Sequence, residues 1–136
     1  MHIVYGLVLD KNNERVLMVR NDGRRGWSLP GGGQETDESL AETARREVLE
    51  ETGYEVVPQK LVAVSERISE RHDTFFVYAC SLVANEPLRD SDDGETREVA
   101  WMNVERADAL MPWYPHPVSE MYRRVGADYF VDRERG

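Results

Sequence analysis

The chain has 136 residues and a formal net charge of −9, with 26 acidic residues against 17 Lys and Arg; the length suits one domain over residues 1–136. This balance excludes the basic footprint of a protein that binds nucleic-acid polymers, while leaving a small polyanion open as a partner. The single cysteine, Cys80, excludes an internal disulfide framework and suits a reducing cytoplasm, and the N-terminal apolar run is too short to span a membrane and lacks a signal-peptide layout.

Residues 2–10 are dense in Ile, Val, Tyr and Leu and predict a strand. Lys11, Asn12 and Asn13 supply turn chemistry, and residues 15–20 read as the hairpin partner of that strand. A loop over 21–26 carries Arg24 and Arg25, and Trp27 to Pro30 form a short extended piece leading into Gly31, Gly32 and Gly33. Three successive glycines cost backbone entropy; their use is to let the main chain approach a neighbour closely. A helical period then runs over 38–52, followed by strand pieces at 54–57 and 61–64 interrupted at Pro58. Residues 74–83 are almost continuously apolar and predict a central strand. After an acidic loop over 85–95, residues 98–102 read as a strand, and 104–111 and 118–125 as helices. Early strands, one interposed helix and a closing helix predict an α+β fold, a layered α/β/α sandwich.

The interposed helix carries the chemistry. Leu40, Ala41, Ala44 and Val48 share an apolar arc, Thr36 or Asp37 stands where an N-cap is needed, and Gly53 is a natural stop. Glu47, Glu50 and Glu51 fall at i, i+3 and i+4, so they project from one face bordering that arc. Like charges that close are destabilising unless a cation offsets them, and carboxylate oxygens are what Mg²⁺ and Mn²⁺ prefer. The plainer alternative is a solvated acidic helix face.

The stretch 32–54 reads Gly32, five residues, Glu38, seven residues, then Arg46-Glu47-Val48-Leu49-Glu50-Glu51-Thr52-Gly53-Tyr54. This frame resembles the Nudix box, G-x5-E-x7-R-E-U-x-E-E-x-G-U with U apolar, and every defined position is filled. The resemblance implies an α/β/α sandwich with a mixed sheet, in which a catalytic helix follows a Gly-rich loop. It implies hydrolysis of a nucleoside diphosphate-linked substrate with Mg²⁺, or Mn²⁺ as substitute. Carried over residue by residue, it implies metal binding by Glu47, Glu50, Glu51 and the Gly31 carbonyl, with Glu47 also the general base and Arg46 orienting it. Glu38 and Gly32 support the loop and helix geometry. A carboxylate from a later loop completes the site in several members; Glu98 is the first choice here, Glu95 the next. Arg20 matches a phosphate-binding arginine, with Arg24 and Arg25 as alternates. Phe76, Trp113 and Tyr114 are candidates to stack on a base, against the plainer reading of them as core. His2, His72 and His116 read as structural, and Cys80 as an inert buried thiol.

The box specifies a diphosphate and little of what hangs from it. Where the ADP-ribose group has a proline downstream, Ser69 and Glu70 stand here; where the diadenosine polyphosphate group has a tyrosine, the window holds Glu70, Arg71 and His72. The coenzyme A signature is absent. Elimination leaves resemblance to a MutT-type enzyme that converts a nucleoside triphosphate or dNTP to monophosphate and pyrophosphate. The alternatives are a nucleotide-sugar or dinucleotide pyrophosphatase, and a non-catalytic nucleotide-sensing module. Two departures stand out: Pro115 falls where the type enzyme has an asparagine reading oxidised guanine, and Asp37 replaces the usual glycine before the box glutamate, where it reads as a helix cap. The expected partner is a small nucleotide seated between strand 74–83 and loop 113–116, held mainly by stacking and so with modest base discrimination. The chain is expected to be a monomer or homodimer.

Overall fold

The computed structural model describes residues 1–12, 14–21, 26–92 and 94–134. Strands β1 (His2–Val8), β2 (Arg15–Asn21), β3 (Trp27–Ser28) and β4 (Gly31–Gly33) precede helix α1 (Leu40–Thr52). Strands β5 (Val56–Ile68), β6 (His72–Leu82) and β7 (Thr96–Asn103) follow, then the short helices α2 (Val104–Leu110) and α3 (Val118–Met121). Four strands form a mixed sheet in the order β4-β1-β6-β5, where β1 runs antiparallel to β4 and parallel to β6. A second, antiparallel sheet has the order β3-β2-β7.

Alternation along β1 divides the core into two layers. Val4 and Val8 pack against Leu40, Ala44 and Val48 of α1, while Leu7 packs with Val77 and with Ala107, Met111, Val118 and Met121 of the α2–α3 side. Helices therefore cover both sides of the strands, the α/β/α sandwich expected for this element order. No helix among the described residues is long and apolar enough to cross a membrane.

Several boundaries differ from the sequence reading, each for a physical reason. Among the described residues β1 and β2 form no hairpin ladder. The turn itself closes, with Asp10 N–H donating to the Arg15 carbonyl and Asp10 Oδ1 accepting from Glu14 and Arg15 N–H. Beyond the Leu9–Val16 bridge, however, the strands separate into different sheets. Val16, Leu17, Met18 and Val19 are all fully buried, so β2 needs cover on both faces and finds it between the two layers. Pro58 does not break β5: the strand runs through it with bulges between Pro58 and Lys60 and between Leu61 and Ala63. β5 is an edge strand, where a missing N–H costs no ladder bond. The last helix stops at Met121 rather than 125, and after Gly126 (φ 81°) the chain turns so that Ala127 exchanges both backbone bonds with Leu61.

The N-cap of α1 is Ser39, not Thr36 or Asp37. Its side chain accepts from Glu42 N–H while Glu42 accepts from Ser39 N–H, a reciprocal capping box. Gly53 ends the helix at φ 80°, as anticipated. Asp37 instead takes φ 66°, the left-handed conformation that glycine adopts without cost. Asp37 is exposed, so backbone strain is isolated from packing there. Asp37→Val should lower stability by about 1–2 kcal/mol, whereas Asp37→Gly should leave it unchanged or raise it. Urea midpoints measure both; a destabilised glycine variant would contradict the left-handed assignment.

Candidate active site

Arg46 is the hub of the box. Its Nε and one terminal nitrogen donate to the two oxygens of Glu38 at 2.7 and 3.0 Å, and that terminal nitrogen also reaches the Gly33 carbonyl at 3.1 Å. Its other terminal nitrogen donates to Glu47 at 2.9 Å and Glu50 at 3.2 Å, with Glu35 at 3.7 Å. One guanidinium thus ties the Gly-rich strand, the loop before α1 and the helix carboxylates together. These charged hydrogen bonds push the Arg46 pKa up, and the Arg46 guanidinium beside Glu38 holds that carboxyl down at about 2.

Any side chain at Gly32 would displace the Glu47 carboxylate from its place. A Cβ on Gly32 would stand 2.6 Å from both Cδ and Oε1 of Glu47, so the backbone of β4 lies directly against the carboxylate. The Gly31 N–H donates to Glu51 Oε2 at 3.2 Å, and Glu51 is 3% exposed. Burial raises the Glu47 pKa, opposed by Arg46 and reinforced by the Glu50 charge.

Glu38 gives a pH dependence with a definite sign. Its folded pKa lies below the ordinary carboxylate value, so its stabilisation is present above about 4.5 and is lost as pH falls towards about 2. Glu38→Gln should therefore flatten acid unfolding in that window and lower stability at pH 7 by about 1.5–3 kcal/mol, the worth of hydrogen bonds to a charged group. Denaturant melts at pH 7 and pH 3 check it; equal losses at both would contradict it.

The donors fit a hard divalent cation in kind, being carboxylate oxygens beside a backbone strand. They also fit in charge, since Glu35, Glu38, Glu47 and Glu50 surround the single Arg46 guanidinium. Among the described residues, no three acidic, imidazole or thiol side chains already converge on one point; the carboxylates turn instead to Arg46 and the glycine strand.

On the other side of β4 lies a cleft of about 320 Å³. Gly31, Gly32 and Gly33 form one wall, Ile3, Tyr5 and Phe75 the floor, and Trp113 reaches in from the loop after α2. Phe76, the sequence candidate, turns to the α1 side, edge-on to His2; its neighbour Phe75 faces the cleft. Tyr114 is 8% exposed and sits in the core, edge-on to Trp113 and Tyr5. Arg20 and Glu98 are cross-strand neighbours on β2 and β7 and hold each other, Arg20 Nε at 2.8 Å from Glu98 Oε1. Neither is among the residues hydrogen-bonded to Arg46. Glu95 is exposed, and Arg24 and Arg25 lie outside the described residues. His2 bonds Gln34 and His72 bonds Glu66, while His116 packs beside Tyr114. Burial pushes the Cys80 thiol up to about 12, which fits an inert role. Sequence reasoning missed Phe75, Arg67, Arg71 and Asp73, all of which line the cleft; the strand parity shared by 73, 75 and 77 is the signal that points to Phe75 and Asp73.

The family model for the NUDIX domain matches residues 1–125. A putative 8-oxo-dGTP diphosphatase of Bacillus subtilis is 30% identical over 105 residues, covering 77% of this chain and 68% of the relative. The putative ADP-ribose pyrophosphatase YjhB of the same organism is 31% identical, covering 80% of this chain and 53% of its own length. The chain thus spans about half the length, or less, of several curated relatives that it matches. Among solved structures, a NUDIX hydrolase from Nitrosomonas europaea superposes with a TM-score of 0.73 at 23% identity, covering 89% of this chain and 86% of that one, a likeness of fold. With the box filled on α1 and the match running over nearly all of its length, the chain belongs to the Nudix family.

Proposed function

We propose that the chain is a metal-dependent pyrophosphohydrolase that converts a nucleoside triphosphate, ribo or deoxy, to monophosphate and pyrophosphate. One observation carries this reading: the Arg46-centred carboxylates and the aromatic cleft share the three-glycine strand as a common wall. A diphosphate lying along that strand would have acidic oxygens on one side and a planar-group pocket on the other. Hydrolases of this family generally use divalent metal ions. A bound Mg²⁺, held by Glu47, Glu50, Glu51 and the Gly31 carbonyl, would screen the phosphate oxygens and lower the pKa of the attacking water. In this reading Glu47 takes the proton of that water, and Arg46 keeps Glu47 aimed at the glycine strand. Glu38 holds Arg46 in place through its paired oxygens. Arg20 serves the phosphates and Glu98 the metal only after their mutual ion pair opens.

The names of the two Bacillus subtilis relatives divide over the substrate, one an ADP-ribose and the other an 8-oxo-dGTP enzyme. A competition assay with mixed dNTPs, 8-oxo-dGTP, ADP-ribose and a diadenosine polyphosphate in Mg²⁺ separates them. Nucleoside triphosphates should dominate and release pyrophosphate. Dominant cleavage of ADP-ribose or the dinucleotide would overturn the substrate class and leave the fold and carboxylate site intact.

A further inference from the structure

The far end of the cleft is closed by charge rather than by apolar side chains. Asp73, at the start of β6, is 4% exposed and lines the cleft beside Phe75. Strand parity turns Asp73, Phe75 and Val77 to one face, the face that continues into the core under α2 and α3. Asp73 Oδ2 accepts from Arg71 Nε at 3.3 Å. Its Oδ1 is buried without a hydrogen bond among the described residues; Arg71 Nε at 3.2 Å and the Met1 ammonium at 3.5 Å balance its charge only. A buried carboxylate oxygen left in that condition is costly unless water or a ligand completes it.

We infer that Asp73 reads the base of the substrate and selects guanine, an inference that rests on the nucleotide reading above. An ionised carboxylate only accepts hydrogen bonds. Guanine offers N1–H and an exocyclic N2–H side by side, a pair that matches two carboxylate oxygens. Adenine sets its N1 lone pair beside the N6 amine, and cytosine its N3 lone pair beside the N4 amine. Thymine flanks its N3–H with two carbonyls. Each of these turns a lone pair towards Asp73. A site built around a polar group rejects such a partner far more strongly than stacking does, so discrimination exceeds the modest level expected from aromatic contacts alone.

The spacing suits this role. β6 lies two strand spacings from β4, about 10 Å, and Asp73 stands one residue beyond the His2–Thr74 pair, past the level of Gly33. A nucleotide with phosphates at Gly32 lays its purine over Tyr5 and Phe75, beside Trp113, and its outer edge meets Asp73. Guanine and 8-oxoguanine share the N1–H and N2–H edge, so Asp73 accepts both.

The test is kcat/KM in Mg²⁺ for dGTP, dITP, dATP, dCTP and dTTP, with calorimetric binding of dGMP, dIMP and dAMP to the metal-free chain. dGTP should lead dATP by at least about 100-fold. dITP keeps N1–H but lacks N2–H and should fall between them, and the monophosphates should bind in the same order. Asp73→Asn exchanges one acceptor for a donor, so preference should move from dGTP to dXTP, whose N1–H and O2 complement a carboxamide. Equal rates on the natural dNTPs with equal binding of the monophosphates would overturn the role of Asp73 while leaving the triphosphatase reading. Guanine-selective binding without hydrolysis of any triphosphate would support Asp73 and overturn the reaction instead. If Asp73→Asn does not fold, the wild-type series decides alone.

Discussion

Hydrolysis should fall to background when divalent metal is removed with EDTA and return when Mg²⁺ or Mn²⁺ is added back. Glu47, Glu50 and Glu51 share one face of α1, and the neighbouring Arg46 is one positive charge divided among Glu38, Glu47, Glu50 and the Gly33 carbonyl. Adding a polyphosphate to this surface without a further cation would bring like charges together at short range, where the repulsion is largest. The same excess gives a readout independent of turnover. A cation that binds the folded helix and not the unfolded chain stabilises the fold by about 2.7 kcal/mol at a hundred times its Kd. The melting temperature should therefore rise by several degrees with Mg²⁺, and Glu50→Gln combined with Glu51→Gln should erase most of that rise. Undiminished hydrolysis in chelator would sink the metal assignment, whatever the substrate.

What the sequence made legible was local in character. Helical periodicity places Arg46, Glu47, Glu50 and Glu51 on α1, and Glu38 stands just before its Ser39 cap, so the carboxylate partners of Arg46 lie within a short reach of chain. Gly53 as a stop needs only its own φ. The failures are non-local, or turn on a single residue. Ser39 rather than Asp37 caps α1 because the reciprocal bond to Glu42 outweighs a shift of two positions. Phe76 and Phe75 are adjacent and equally apolar, and only the pairing of β6 with β1 decides which one faces the cleft. The Arg20–Glu98 pair arises from the register of β2 with β7, strands far apart in sequence. Asp73 is one of many acidic residues in an acidic chain; burial distinguishes it, and burial depends on the assembled sheet.

Glu47→Gln should reduce kcat by at least about a hundredfold, the scale of a lost general base, while substrate affinity changes far less. The substitution keeps the size of the side chain, so the close contact with Gly32 survives, as does a hydrogen bond from Arg46 to the amide oxygen. It removes the negative charge and the basicity. In the metal-free chain burial raises the Glu47 pKa, a bound cation lowers it again, and a base acts only when unprotonated. In the native chain the rate should therefore rise with pH as Glu47 ionises, and the Gln variant should lose that limb of the profile. Glu38→Gln serves as the comparison: it loosens Arg46 without touching the proton acceptor, so its kcat should fall much less and keep the pH limb. Small, equal losses in both variants, with the pH limb intact, would place the base elsewhere, and Glu98 would then be the next carboxylate to replace.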